Sequence, residues 1–222
     1  MASRLALQAE GGAGAQLRAC VAEHGSAAHS YFPLVARASG PHAGRDLADA
    51  LHFLCILHGR FPGVIELAAN RVVEPAARAW LAAAAEAMAD ERRLLARLSV
   101  AAGPMPSTPG SHASEAAIAA QRGALATLAL SDRAGCALGA ALAFVADWGP
   151  IRTLLDAAAA RLSLEPPPAR FGESSELGLV ADLAGESAAV ERALLFGASQ
   201  LCHQHSGLWD LLEARERARV GT

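Results

Sequence analysis

The stretch PAARAWLAAAAEAMADERRLLARLSVA, residues 75–101, decides the fold class. Pro75 suits the first turn of a helix, where its missing N–H removes no hydrogen bond. Trp80, Ala84, Ala87, Glu91, Leu94 and Leu98 then fall on one stripe with alternating four- and three-residue spacing, the mark of a long helix with one face in a core. Glu91 interrupts that stripe.

Composition extends the reading to the whole chain. Of 222 residues, 53% are apolar and only 5% aromatic, with alanine abundant and β-branched residues sparse, so helix is favoured over sheet throughout. That size buries a core in one domain, and the expectation is an all-α, antiparallel helical bundle over 1–222 with short extra helices. The basic residues are all arginine, which excludes a lysine Schiff base and a P-loop lysine. A net charge of -3 leaves no electrostatic footprint for nucleic acid.

Cys20, Cys55, Cys136 and Cys202 are far apart with no C-x-x-C and read as reduced core residues. The opening MASRLALQAEGGAGAQ lacks the sustained apolar stretch of a secretory signal, and the apolar run 134–146 is too short to span a bilayer. A cytoplasmic protein without a membrane partner is expected.

Two proline-rich stretches, GPMPSTPGS at 103–111 and SLEPPPARFGESS at 163–175, read as linkers between three helical blocks. The first block carries a helix near 14–24, a segment around 26–38, a helix from about 45 to 58, a short helix opened by Pro62, and the 75–101 helix. The middle block reads as helix over 114–146, bent near Ser131, with DWGPIR as a break before a further helix from Pro150 to about Leu162. A short helix near 176–184 and a long one from 187, interrupted at Ser206 and Gly207, complete the chain. Gly135, Gly139 and Ala143 recur every four residues, which reads as close helix packing.

Polar residues fall on several seams. Leu47, Leu51, Leu54 and His58 share a stripe; so do Leu194, Ala198, Leu201, His205, Leu208 and Leu212, and so do Ile118, Gln121, Leu125, Leu128 and Asp132. His52, with Arg45 and Asp49, falls on the opposite face of its helix. His58, Glu91 and His205 are therefore expected to be buried, and His52 and His203 more exposed. Buried ionisable groups need partners, and two histidines with two carboxylates form a plausible first shell for iron, manganese or zinc. The expected metal ligands are His58, Glu91, Asp132 and His205, with Gln121, Asp147, Trp148 and Trp209 as candidates to line a pocket for a small molecule.

With His and acidic residues on facing helices, the chain over about 45–212 resembles the ferritin-like carboxylate bundles and, more distantly, the haem-oxygenase-like helical folds. The resemblance implies a metal-binding bundle with oxidase or oxygenase chemistry. It departs from the family in having no Glu-x-x-His pair; Asp49/His52 and Gln200/His203 alone mimic that spacing. Simpler roles stand beside it. His58 before Gly59 suits a helix C-terminus, Glu91 suits an ion pair with Arg92 or Arg122, and Asp132 suits a helix cap. A non-catalytic scaffold with a polar core network, and a tetrapyrrole-binding bundle with His58 or His205 as axial ligand, are the competing functions.

Overall fold

Helix dominates the described residues. The computed structural model describes residues 11–37, 42–171, 174–185 and 187–220, and these contain nine α-helices and no strand. In order they are α1 Ala13–His24, α2 Phe32–Arg37, α3 Ala43–His58, α4 Val64–Ala69, α5 Pro75–Ala101, α6 Ser111–Ala129, α7 Cys136–Arg161, α8 Ser174–Ala184 and α9 Ala188–Val220, with a 3-10 turn at Ser26–Ala28. The first ten residues, read above for a secretory signal, lie outside the described residues, as do residue 38 of the 26–38 segment and residues 172–173 of the second proline-rich stretch.

Helix α5 has the bounds its stripe implies, and its start is fixed by the Glu74 carboxylate, which accepts from the N–H groups of Ala76 and Ala77 while Pro75 occupies the first turn. Leu81, Ala84, Ala87, Glu91, Leu94 and Leu98 are buried along it. Pro62 does not open a helix: α4 begins at Val64, and the Gly63 N–H before it donates to Glu66 Oε2 at 2.8 Å.

Three boundaries in the second half differ from the expectation. The 114–146 stretch is two helices, parted between Ala129 and Cys136, where Gly135 takes a φ of 91° that a side chain would disfavour. DWGPIR does not break α7, which runs through Pro150. Gly149 has no Cβ to meet the proline ring, and the buried Trp148, Ile151, Leu154 and Leu155 anchor the helix on both sides of it. Helix α9 is likewise continuous through Ser206 and Gly207.

Helix α7 is apolar on nearly every face and forms the centre, touching α1, α2, α4, α5, α6, α8 and most extensively α9. By length and composition it could cross a membrane, unlike the shorter 134–146 run, yet 78% of its most apolar window is buried by the rest of the bundle. Its contact with α9 is backbone to backbone. A Cβ on Gly139 would lie 1.9 Å from the Leu194 carbonyl oxygen, and one on Gly197 would lie 2.0 Å from that of Cys136. One continuous apolar cluster includes residues of all nine helices.

All four cysteines are free, Cys136 and Cys202 buried and Cys20 and Cys55 half-buried. Burial raises the Cys20 and Cys202 thiols above their ordinary range, and these two side chains are hydrogen-bonded across α1 and α9.

Far from solvent, a second kind of contact ties α3 to the last turns of α9. Asp49 on α3 accepts from Arg215 Nε and Nη2, both at 3.0 Å, and from Arg219 Nη1 at 2.5 Å, while Arg219 Nη2 reaches Asp46. The same two arginines hold the 103–110 connection, through Pro106 O at 3.1 Å and Thr108 Oγ1 at 3.3 and 3.0 Å. Asp49, expected on a peripheral face, is thus 1% exposed.

Candidate functional site

The centre of the bundle holds two imidazoles. His58, on the last turn of α3, is 4% exposed and His205, midway along α9, is fully buried. Their ring centroids are 5.0 Å apart with the planes at 74°. Phe144 and Trp148 of α7 close the other sides, at 5.0 and 5.6 Å from the His58 ring. Among the described residues neither His58 Nε2 nor His205 Nε2 has a hydrogen-bond partner.

Asp147, also on α7, orients His205. Its Oδ2 lies 2.6 Å from His205 Nδ1 and accepts from the Ser26 hydroxyl at 2.6 Å, and its Oδ1 accepts from the Ser26 N–H at 2.7 Å. Burial alone would raise this carboxyl; the hydrogen bond and charge of His205, with the two bonds from Ser26, outweigh it and hold the group below its ordinary value. An ionised carboxylate only accepts, so Nδ1 of His205 carries the proton and, in the neutral ring, Nε2 presents a lone pair. His58 is held neutral: burial, then the charges of His205 and Arg92, push it well below the ordinary histidine value.

Glu91 belongs to the neighbouring layer. It is 1% exposed, yet one oxygen accepts from Trp148 Nε1 at 3.0 Å and the other from Arg152 Nη1, so both are occupied. Through the Trp148 ring it reaches the His58 side of this centre, and its ion pair is with Arg152 rather than Arg92 or Arg122. Asp132 stands apart altogether. Because α6 ends at Ala129, Asp132 leaves the seam, is 89% exposed and pairs with Arg71 at 3.0 Å. The four expected ligands therefore do not meet: the structure brings His58 and His205 together, places Glu91 one side chain away and Asp132 on the surface.

The other pocket candidates are distributed around this centre. Trp148 is its wall and Asp147 its anchor. Trp209, edge-on to Phe32 at 4.9 Å, has a buried Nε1 without a partner among the described residues, as has Gln121 at Oε1, in the α6 face against Gly207. His52 is half-buried, its Nε2 2.8 Å from Gly103 O, and His203 is exposed.

Ser26 is the member that periodicity missed, since it sits between helices. Its signal is the preceding glycine, where a Cβ would lie 2.5 Å from Asp147 Oδ1. A separate group, His29, Asp210 and Glu213, has donor atoms within 4.8 Å of one another. The Tyr31 N–H donates to His29 Nδ1 at 3.1 Å, so Nε2 carries the proton and donates to Asp210 at 3.0 Å. That tautomer suits a hydrogen bond and leaves no lone pair on Nε2 for a cation.

Beside His58 lies a cleft of about 40 Å³, formed where the Arg60–Gly63 turn meets α5, α6 and α7. Arg92 is fixed in its wall by both oxygens of Glu66, at 2.9 and 2.7 Å, and by His58 O at 3.3 Å.

Residues 21–220 match the family of unknown function DUF6975, a span that includes every residue of this site. The chain belongs to that family. No curated protein and no solved structure matches it. In this chain the paired imidazoles on α3 and α9 and the Asp147–Ser26 anchor lie within the matched span.

Proposed function

We propose that this DUF6975 protein binds one divalent transition-metal ion between His58 and His205. The observation that carries the reading is that both rings are buried with Nε2 unpartnered, and that one of them donates its other nitrogen to a carboxylate. A buried polar atom left unsatisfied costs about 1–3 kcal/mol, and a histidine that ligates a metal commonly donates its second N–H to a carboxylate. Two imidazoles on one tetrahedral ion, bonded at about 2.0–2.1 Å, keep their centroids about 5 Å apart. The separation of 5.0 Å suits such an ion.

Imidazole donors favour zinc, iron, copper or nickel, and two protein ligands leave coordination positions for water or substrate, as in a reactive rather than a structural centre. With iron, those positions would support oxidase or oxygenase chemistry. Phe144 and Trp148 against His58, with a cleft of about 40 Å³, suit an ion and its waters better than a flat tetrapyrrole.

The test is thermal melting of chelator-treated protein with added zinc, iron(II) or manganese. At a hundredfold excess over Kd, binding adds about 2.7 kcal/mol, a rise of about 5–10 °C for a chain of this size. The rise disappears in His58→Ala and His205→Ala and persists in Glu91→Gln. If no ion raises the wild-type melting temperature, the pair is a buried structural contact and the scaffold reading replaces this one.

A further inference from the structure

The cleft beside His58 is bordered by three arginines, Arg60, Arg92 and Arg122, and among the described residues by no carboxylate; Arg92 alone is neutralised, by Glu66. Arg60 is exposed and Arg122 half-buried, and among the described residues neither forms an ion pair or a side-chain hydrogen bond. The walls between these guanidinium groups and His58 are apolar, from Leu57, Ile65, Met88, Leu125 and Phe144. His58 lines the cleft as well, and among the described residues its buried Nε2 has no partner. A surplus of positive charge outside, a short apolar passage and an unsatisfied polar atom within describe a ligand with three parts.

The geometry points to a binding site for a small aliphatic monocarboxylate, its carboxylate held by Arg60 and Arg122, its short chain between the apolar walls, and a hydroxyl or carbonyl oxygen at its far end meeting His58 or the ion His58 holds. Guanidinium groups bind carboxylates through paired, charge-assisted hydrogen bonds, which fixes the orientation of the chain. Because one water needs about 10–15 Å³ of such space, the enclosed part takes about three or four heavy atoms. The site deepens the metal reading by naming a substrate class, but its arginine contacts do not depend on the ion.

Calorimetric titration of the chelator-treated protein tests it with butyrate, 4-hydroxybutyrate, butan-1-ol and inorganic phosphate as probes. Expected are saturable binding of butyrate, tighter binding of 4-hydroxybutyrate, and none of butan-1-ol. Arg60→Gln and Arg122→Gln each weaken both carboxylates at least tenfold, while Arg97→Gln, an exposed arginine outside the cleft, leaves them unchanged. His58→Phe removes the preference for 4-hydroxybutyrate and retains butyrate. Failure of both carboxylates to bind, equal binding of phosphate, or indifference to both cleft arginines overturns the proposal. Metal-dependent melting measured on the same preparations separates the two readings: carboxylate binding without a metal response removes only the metal, and a metal response without carboxylate binding removes only this site.

Discussion

His205 Nδ1 lies 2.6 Å from Asp147 Oδ2, and the same carboxylate takes two hydrogen bonds from Ser26. Three elements distant in sequence thereby fix one imidazole: the turn after α1, the middle of α7 and the middle of α9. The consequence is a defined tautomer for His205 when its ring is neutral, with Nε2 on the side away from the anchor.

Asp147→Asn keeps the shape but removes the charge that makes Nδ1 the protonated nitrogen. Loss of such an orienting carboxylate lowers metal affinity by about 10–100-fold. Competition with a chelator of known affinity measures it, and unchanged affinity would mean that Asp147 does not act through His205 on an ion. Ser26→Ala, which removes one of the two Ser26 bonds, has the smaller effect.

Acid stability follows from His58. Its folded value lies well below that of the unfolded chain, so the unfolded state takes up the proton first as pH falls. Its contribution to stability is full above about pH 6.5 and is lost as pH falls from there toward the folded value, at up to about 1.4 kcal/mol per pH unit. Asp147 acts in the same direction only further down, below about pH 4. Urea midpoints of the metal-free protein between pH 6.5 and 5 should therefore decline, and the decline should be shallower in His58→Leu. An equal slope in that variant would assign the acid lability elsewhere.

What the sequence disclosed and what it hid have physical reasons. His58, Glu91 and His205 were legible because each interrupts an apolar stripe on a helix that is continuous, and periodicity reports which face is buried. Asp132 was misplaced because the stripe through it assumed helix where Gly135 turns the chain, an irregularity that a period of three and four cannot see. Asp49 was assigned to a peripheral face because a stripe describes one helix alone, and the arginines that cover it come from the far end of the chain. Ser26 lies outside any period, and only its approach to Asp147 gives it a role.

The α7–α9 contact predicts opposite signs for two glycine substitutions. Gly139→Ala sets a Cβ 1.9 Å from a backbone oxygen of α9, which no side-chain rotation relieves, so the helices must separate at a cost of about 3 kcal/mol. Gly123→Ala, on α6 with nothing within 4 Å, stabilises by roughly 0.5–1 kcal/mol, because alanine loses less conformational freedom in a helix. Thermal or urea denaturation of the two variants reads the difference. If both shifted the midpoint alike, the backbone contact would not be the determinant.

The Asp49 cluster makes the largest stability prediction. Arg215 and Asp49 are each 1% exposed, and Arg219 is 3% exposed in its side chain, so removing Asp49 leaves two guanidinium groups with little access to water. Arg219 retains the Asp46 carboxylate, whereas Arg215 retains only the Pro106 carbonyl, the Thr108 and Ser111 hydroxyls and the Phe53 ring at 4.9 Å, none of which carries a balancing charge. Breaking one side of a buried ion pair costs about 3–5 kcal/mol, whereas a surface pair is worth about 0–1 kcal/mol. Asp49→Ala should therefore unfold at much lower urea than wild type, and Asp132→Ala, which breaks the exposed pair with Arg71, should be nearly neutral. Because the same arginines hold Pro106 and Thr108, Asp49→Ala should also speed amide hydrogen exchange at Ser107 and Thr108 under native conditions. Slow exchange there, with the global loss intact, would mean that the 103–110 connection is held by its own packing and not by the ion pairs beneath it.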